Sequence, residues 1–218
     1  MNEAGALVYV IRNYIPREQA SILLDQLRHN IPWQRREVFV HSQYRQEPRL
    51  TFPFGQRGLV HYYSGSQRPL LDWNLPTSAG GCGDLPGVST VRELASSLHA
   101  IGGTPYNSIL LNWYPDHNSH ISAHSDKETS KQYSSVATVS LGQSREFILW
   151  SKLLRPNIPT IVRHGDVLFM EGNTQKNWKH QVPPLDEKGM RKWERERTLG
   201  IHNEPLDRIS ITLRHIGN

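Results

Sequence analysis

Cysteine is almost absent from this chain, and long apolar runs are absent altogether. Cys82 is the single cysteine among 218 residues, so an internal disulfide is excluded and a reducing compartment is favoured. No stretch approaches the roughly 20 apolar residues that a membrane helix needs. Residues 1–5 also lack the charged and apolar regions of a signal peptide. We therefore expect a soluble intracellular protein of the cytoplasm or nucleus, with no membrane partner.

One basic domain is the simplest organisation for a chain of this size. Its 218 residues suffice for one sizeable core, and no internal repeat or long low-complexity tract divides them. The net charge is +5. This basic balance suits contact with phosphates, although many small basic domains bind no nucleic acid. We expect a single domain, residues 1–218, that is a monomer.

Short strands dominate the second half of the sequence. Eight segments have the alternating or apolar character of β-strands: 109–114, 120–124, 136–141, 146–150, 158–162, 167–170, 178–182 and 208–214. Eight short strands in succession predict two packed antiparallel sheets, a jelly roll. The predicted fold class is therefore mainly β (α+β), with the jelly-roll core at about 107–218.

Helices and loops fill the remainder of the pattern. A helix is predicted after Pro16, and a second helix is predicted with Ser89 as its N-cap. Residues 160–163 and 167–170 are predicted to form a hairpin with glycine in its turn. The charge-rich residues 185–197 are predicted to form a loop.

A His-x-Asp pair near the middle of the chain is the first candidate for chemistry. Residues two apart on a strand share a face, so His124 and Asp126 can aim at one point. Neutral imidazole and carboxylate are ligands for divalent metals, and a second histidine would complete the 2-His-1-carboxylate face typical of Fe(II) oxygenases. His-x-Asp alone is weak, because the chain has 11 His residues and 20 Asp and Glu residues. The candidate for the third ligand is His180.

The strand at residues 208–214 carries an arginine at each end of its polar face. Its apolar residues alternate strictly with Arg208, Ser210, Thr212 and Arg214. An edge strand with its polar face in water would explain this pattern. So would a cavity in which the two guanidinium groups hold a dicarboxylate, because the planar fork of arginine binds carboxylate bidentately.

Basic and aromatic residues are interleaved in residues 33–63. This mixture suits single-stranded nucleic acid, whose bases stack on aromatic rings and whose phosphates meet cations. A β-rich segment with its aromatic residues in a core would have the same composition. The residues alone leave both interpretations open.

Taken together, these motifs resemble the AlkB family of Fe(II)- and 2-oxoglutarate-dependent nucleic-acid demethylases. The resemblance covers most of the chain and is nearest to the animal homologue that prefers single strands. Its signature is His124-x-Asp126, His180 and the strand from Arg208 to Arg214. The chain departs from the family pattern at Ser210, where asparagine is usual. It departs also at Lys127 and in the longer stretch 184–207.

The resemblance implies a role for each matched residue. Fe(II) is expected on His124, Asp126 and His180, with 2-oxoglutarate and O2 as cosubstrates. Six residues are expected to contact 2-oxoglutarate: Asn112, Tyr114, Arg208, Ser210, Thr212 and Arg214. Residues 33–65 are expected to form a β-rich nucleotide-recognition lid that precedes the catalytic core. The expected substrate is methylated single-stranded DNA or RNA, and the expected products include formaldehyde, succinate and CO2.

Five further residues are expected to contact the nucleic acid. Arg49 and Ser64 lie in the segments that resemble the family's recognition region. Tyr63 is expected to stack on the target base, and Glu128 to bind its edge. Phe39 lies in an apolar triplet similar to that of a duplex-acting family member, so it is either a core residue or a wedge between base pairs. If Phe39 is a wedge, we expect activity on both single-stranded and double-stranded nucleic acid, with single strands the better substrate.

Three other functions are compatible with parts of this pattern. An oxygenase of the same fold could act on protein or lipid, although the basic and aromatic segment argues against this. A non-catalytic nucleic-acid-binding module is disfavoured because all three ligands and both arginines are present. A hydrolytic zinc site would leave the paired arginines unexplained.

Overall fold

The computed structural model describes residues 6–40, 42–63, 66–126, 135–151, 157–200 and 205–217. In chain order the strands are β1 (Ala6–Ile11), β2 (Glu37–Val40), β3 (Gln43–Gln46), β4 (Leu50–Gly55), β5 (Val60–Tyr63), β6 (Ser66–Pro69), β7 (Leu71–Asp72), β8 (Ser108–Tyr114), β9 (Ile121–His124), β10 (Val136–Gly142), β11 (Arg145–Ser151), β12 (Ile158–Val162), β13 (Val167–Gly172), β14 (Trp178–Val182) and β15 (Arg208–Arg214). The α-helices are α1 (Arg17–Asn30), α2 (Val88–Gly102), α3 (Thr174–Asn177) and α4 (Glu187–Thr198).

Two sheets form the core, which confirms the predicted mainly β jelly-roll fold. The larger sheet has seven strands in the order β1-β13-β10-β15-β8-β4-β7, and the smaller has four in the order β12-β11-β14-β9. Within residues 33–65, the segment predicted to be a lid, β2 and β3 form a separate hairpin and β4 joins the larger sheet. Strand β5 of the same segment pairs with β6, which lies just beyond it. Strand β15 lies in the middle of the larger sheet, so it is not the edge strand that its polar face could have indicated.

One face of the larger sheet is covered by two helices. The buried residues of α1 are Ala20, Leu23, Leu24 and Leu27, and those of α2 are Val88, Val91, Ala95 and Leu98. The sheet contributes the apolar positions of β8, β10 and β15 to the same cluster. All three apolar residues of β15, Ile209, Ile211 and Leu213, are fully buried in it. Alternation along the strand therefore sends its polar residues to the opposite face.

A second apolar cluster lies on that opposite side. It joins Val136, Leu168 and Met170 of the larger sheet to Phe147, Leu149 and Trp178 of the smaller one. This packing of sheet on sheet is the arrangement expected of a jelly roll. Among the helices that the structure describes, none is long and apolar enough to cross a bilayer.

Three predictions of local structure are wrong. Helix α2 begins at Val88 with Gly87 as its N-cap residue, and Ser89 is therefore already inside the helix. Gly87 has φ 89°, and a Cβ there would lie 2.9 Å from Leu27 of α1, so this position combines a positive φ with close helix contact.

The predicted hairpin over residues 160–170 is also wrong. Strand β12 pairs with β11 in the smaller sheet, whereas β13 pairs with β1 and β10 in the larger one. The glycine turn is real, with Gly165 at φ 83°, but it carries the chain from one sheet to the other. Residues 185–197 were predicted to form a loop, but most of them lie in helix α4 (Glu187–Thr198). Its N-cap Asp186 accepts a hydrogen bond from the amide of Gly189 at 2.7 Å.

Candidate metal centre and adjoining pocket

The inner face of the larger sheet carries a continuous polar surface. In the strand register Arg208 lies opposite Tyr114, and Ser210 lies opposite both Asn112 and Ser140. Thr212 lies opposite Thr138 of β10. Directly opposed residues share a face of the sheet, so the polar positions of three central strands meet. Period-two alternation alone therefore collects the predicted cosubstrate residues on one surface.

A pocket opens over this surface. Every predicted cosubstrate residue lines it. Its polar lining consists of Asn112, Tyr114, His124, Thr138, His180, Arg208, Ser210, Thr212 and Arg214. Its apolar lining consists of Leu110, Ile121, Phe147 and Val182.

His124, Asp126 and His180 meet at the Arg214 end of the pocket. One ligand atom from each lies within 4.8 Å of the others. His124 and His180 are directly opposed on the paired strands β9 and β14, and Asp126 follows the end of β9. The Nε2 atoms of His124 and His180 lie 3.9 Å and 3.6 Å from the two carboxylate oxygens of Asp126. The structure thus brings together the three side chains that the sequence predicted to be metal ligands.

Contacts outside the cluster hold these three side chains in place. The Nδ1 atom of His124 lies 2.9 Å from the carbonyl oxygen of Ser122, which leaves Nε2 for a metal. The backbone amide of Asp126 donates to Oε1 of Gln175 at 2.9 Å. Phe147 stacks on the ring of His180 at 5.2 Å. The donor atoms are therefore oriented before any ligand binds.

The protonation states suit metal binding. Burial lowers the pKa of His180 to about 3 and also lowers the pKa of His124, so both rings are neutral near pH 7. Burial alone would raise the pKa of Asp126, but Arg214, which forms an ion pair with it, and then the two histidines lower it well below its usual range. The cluster therefore offers two neutral imidazoles and one carboxylate.

This donor set fits Fe(II). Two imidazoles and one carboxylate on one side of a site are the ligands of non-haem Fe(II) oxygenases, which keep their other positions open. The Oδ2 atom of Asp126 is buried and has no hydrogen-bond donor among the residues that the structure describes. A cation would satisfy that oxygen. The open side of the cluster faces the pocket, because both histidines line it.

Arg208 provides positive charge at the other end of β15. Its Nη2 donates to Oγ of Ser140 at 3.0 Å, and its guanidinium lies 5.1 Å from the centre of the Tyr114 ring. Its Nε and Nη1 atoms have no hydrogen-bond partner among the described residues. A buried cation with free donors is a natural site for a carboxylate.

Arg145 is a buried residue that the sequence analysis missed. It is 1% exposed and lies 5.9 Å from the same Tyr114 ring. Its Nη2 donates to the carbonyl oxygens of Ser119, just before β9, and Pro183, just after β14. Burial, followed by the nearby charge of Arg208, lowers its pKa to about 10, so it stays charged at pH 7. Arg145 thus joins the two strands that carry His124 and His180.

Arg145 follows the phase of its strand. Phe147 and Leu149 are buried at the next two alternate positions. The sequence prediction began this strand at residue 146 and therefore omitted an arginine that has the inward phase. Extending the alternation by one residue would have identified it.

The predicted substrate residues are less fully placed. Arg49 is buried, donates from Nε to Oδ1 of Asn112 at 2.8 Å, and lies 3.4 Å from Glu47. It therefore contacts Asn112, a residue of the pocket lining. Four other predictions fall outside what the structure describes: the side chains of Phe39 and Tyr63, and the whole of Ser64 and Glu128.

The family comparison matches residues 7–214 to the 2OG-Fe(II) oxygenase superfamily. Human alpha-ketoglutarate-dependent dioxygenase alkB homolog 3 is 28% identical over 78% of this chain and 58% of its own length. The rat protein of that name is 30% identical over 78% of this chain and 56% of its own length. DNA oxidative demethylase ALKBH2 of Arabidopsis thaliana is 28% identical over 84% of this chain and 62% of its own length. The chain thus spans less than two thirds of these relatives.

Solved structures support the same fold. The structure of OsALKBH1 matches with a TM-score of 0.51 and 14% identity, covering 95% of this chain and 97% of that one. A 2OG-Fe(II) oxygenase family oxidoreductase from Burkholderia pseudomallei matches with a TM-score of 0.56 and 14% identity, covering 99% and 88%. At this identity the likeness concerns architecture alone.

Proposed function

Since this chain belongs to the 2OG-Fe(II) oxygenase superfamily, we propose that it is a 2-oxoglutarate-dependent demethylase of nucleic-acid bases. The observation that carries the proposal is the meeting of a His-Asp-His cluster and an arginine-ended strand in one pocket. The curated relatives support the substrate class, because one is described as a DNA oxidative demethylase.

His124, Asp126 and His180 would hold Fe(II), and 2-oxoglutarate would occupy the surface of β15. Bound Fe(II) supplies the activation of O2 that couples decarboxylation of 2-oxoglutarate, giving succinate and CO2, to hydroxylation of a methyl group on a base nitrogen. The hydroxymethyl group then leaves as formaldehyde and the base regains its proton.

The protein's own residues have three tasks in this reaction. Arg208 pairs with the distal carboxylate of 2-oxoglutarate, and Tyr114 contacts the same guanidinium. Asn112, Ser210 and Thr212 offer hydrogen bonds along the sheet, while Arg214 balances the charge of Asp126. Phe147 and Val182 provide an apolar wall that restricts water at the metal end.

The target base must leave its stack to reach this pocket. We assign base recognition to residues 33–65, the proposed nucleotide-recognition lid of the single domain. Tyr63 would stack on the base, Ser64 and Glu128 would bind its polar edges, and Arg49 would hold Asn112 in place. The proposed substrate is a methylated single strand of DNA or RNA, with duplex DNA as a weaker substrate, and the proposed active form is an intracellular monomer.

Mass spectrometry of methylated oligonucleotides tests this function directly. Single- and double-stranded substrates would be incubated with the protein, Fe(II) and 2-oxoglutarate. Loss of a methyl mass with stoichiometric succinate is expected, and His180→Ala serves as the inactive control. Succinate release stimulated by a methylated peptide, and by no oligonucleotide, would instead favour a protein-directed oxygenase of the same fold.

Phe39 tests the proposed strand preference. As a wedge it would fill the gap left by a flipped base and offset an unstacking cost of about a few kcal/mol. Phe39→Ala should then reduce activity on duplex substrate selectively, with unchanged activity on single strands and an unchanged melting temperature. Equal loss on both substrates with a lowered melting temperature would place Phe39 in a core.

A further inference from the structure

Helix α4 carries an exposed basic stripe that the proposed chemistry leaves unused. Lys188, Arg191, Lys192 and Arg195 are all exposed and follow the spacing i, i+3, i+4, i+7. At 3.6 residues per turn this spacing places them on one face. The stripe spans about 10 Å, given a rise of about 1.5 Å per residue. We propose that this basic stripe binds the phosphate backbone of the nucleic-acid strand whose base enters the pocket.

The helix is not built for packing in a core. None of its residues is fully buried, and its half-buried positions lie on the other face. On that face Arg197 lies 5.3 Å from the Trp193 ring. The helix contains five basic and three acidic residues. A core helix would show an apolar stripe in place of this basic one.

Intrahelical ion pairs offer a simpler explanation of the charges. Arg191 lies 3.8 Å from Glu187, and Lys192 lies 3.8 Å from Glu196. Arg191 and Glu187 are 74% and 91% exposed, so their pair is weak and screened by salt. Such pairs support a helix but leave its cations available to a stronger anion. A row of phosphates is that anion, because successive cations can each meet one charge.

The position of the helix in the chain connects it to the pocket. Val182 lines the pocket, and the N-cap of α4 follows only four residues later, which is at most about 14 Å of extended chain. The amide of Leu185 donates to the carbonyl oxygen of His117 at 2.8 Å, and Arg145 binds Pro183. The chain therefore leaves the pocket rim along a fixed path into the basic helix.

The proposal rests on the proposed function, because it assumes a nucleic-acid substrate. A phosphate backbone is favoured over an acidic protein because the target must supply regularly spaced negative charge beside the pocket. The test must therefore measure binding and turnover separately. It must also distinguish phosphate contact from a general loss of positive charge.

The experiment compares two matched double variants of the full chain. Arg191→Gln/Arg195→Gln removes two charges from the stripe, and Arg17→Gln/Arg163→Gln removes two exposed arginines elsewhere. The dissociation constant of a single-stranded oligonucleotide would be measured by fluorescence anisotropy across a KCl series. Two lost phosphate contacts should weaken binding about 10- to 30-fold at 0.1 M salt and reduce the log–log salt slope by about 1.4. The control should keep wild-type values.

Three further readings make the result decisive. Arg191→Lys/Arg195→Lys keeps the charge and should keep the affinity, which separates charge loss from helix disruption. Turnover of a methylated mononucleotide, which has no flanking phosphates for the stripe to bind, should be unchanged in the stripe variant. If stripe and control variants bind alike, the stripe is only a solvated face and the inference is wrong. If wild-type protein binds oligonucleotides through the stripe but demethylates none, the proposed function fails on its own.

Discussion

Each end of strand β15 carries a buried arginine, but among the described residues only one of the two arginines has an ion-pair partner. Arg208 and Arg214 are 1% and 6% exposed, and both line one pocket. Arg214 already has its counter-ion, Asp126. Arg208 has a hydroxyl and an aromatic ring for partners, and the described residues provide it with no ion pair. The protein thus balances charge at the metal end and leaves it unbalanced at the other.

The difference indicates what each end must accept. A buried cation without its anion is costly, by several kcal/mol even after relaxation, and Arg145 adds a second buried guanidinium near Tyr114. The distal end is therefore suited to an anionic group supplied from outside. At the metal end the carboxylate of Asp126 is already paired with Arg214. This end is therefore suited to a metal cation, which the two neutral histidines can bind. Four substitutions test this contrast, in decreasing order of expected effect.

Removing a metal ligand should abolish metal binding at one end of the pocket and leave the Arg208 end intact. We expect His180→Ala to abolish turnover and to abolish the rise in melting temperature on adding Mn²⁺, because only two ligands of the cluster remain. His124→Ala and Asp126→Ala should behave in the same way. His99→Ala, an exposed residue of α2, is the control and should match wild type. Near wild-type metal affinity in His180→Ala would remove His180 from the ligand set.

Removing the unbalanced arginine should affect the cosubstrate first. Arg208→Ala leaves the distal carboxylate of bound 2-oxoglutarate without its charged partner, which costs about 2–5 kcal/mol of binding free energy. The KM for 2-oxoglutarate should therefore rise by at least about 30-fold. Oligonucleotide affinity should change much less. The reverse ordering of these two effects would place Arg208 in the nucleic-acid site.

Arg145 should affect both the metal end and the Arg208 end of the pocket, and it should do so by positioning other residues. Arg145→Met removes the hydrogen bonds to Ser119 and Pro183. It leaves the buried carbonyl oxygen of Ser119 unpaired, at about 1–3 kcal/mol, whereas that of Pro183 is only partly buried. We expect a lower melting temperature, a raised KM for 2-oxoglutarate and weaker metal binding together. Arg145→Lys should recover part of each. A lower melting temperature with unchanged binding constants would make Arg145 purely structural.

The smallest effect should come from the hydroxyl that orients Arg208. Ser140→Ala removes the 3.0 Å hydrogen bond to Nη2, and a hydrogen bond to a charged group contributes about 1.5–3 kcal/mol. Because 2-oxoglutarate itself would fix the guanidinium, the KM should rise less than in Arg208→Ala, by about tenfold or less. Thr138→Ala, on the same strand and lining the same pocket, is the matched control. Equal effects of the two would show that Ser140 has no special link to Arg208.

Most of the site could be predicted because strand periodicity carries it. The alternation in β15 sends four polar side chains to one face whichever sheet the strand joins. The His-x-Asp pair is likewise local. The sequence left open whether that face met water or a pocket, because the answer depends on β8 and β10 lying on either side of β15.

The errors arose where a local signal has more than one structural outcome. The glycine turn at Gly165 would suit a hairpin, yet here it links two sheets, which only distant pairing partners decide. In α4 the charge density concealed helix signals that were present, including the N-cap Asp186 and charged pairs four residues apart.

The place of β15 in the sheet has a consequence for how the chain folds. It is the last of the described strands in sequence, yet it lies between β10 and β8 at the centre. Until it inserts, the strands β1-β13-β10 and β8-β4-β7 have no backbone hydrogen bonds between them within the larger sheet. Until residues 208–214 have been synthesised, the edges of β10 and β8 that pair with β15 therefore lack their partner strand. The strand that completes the sheet also brings both arginines, so a chain that has closed its sheet has also completed its binding surface.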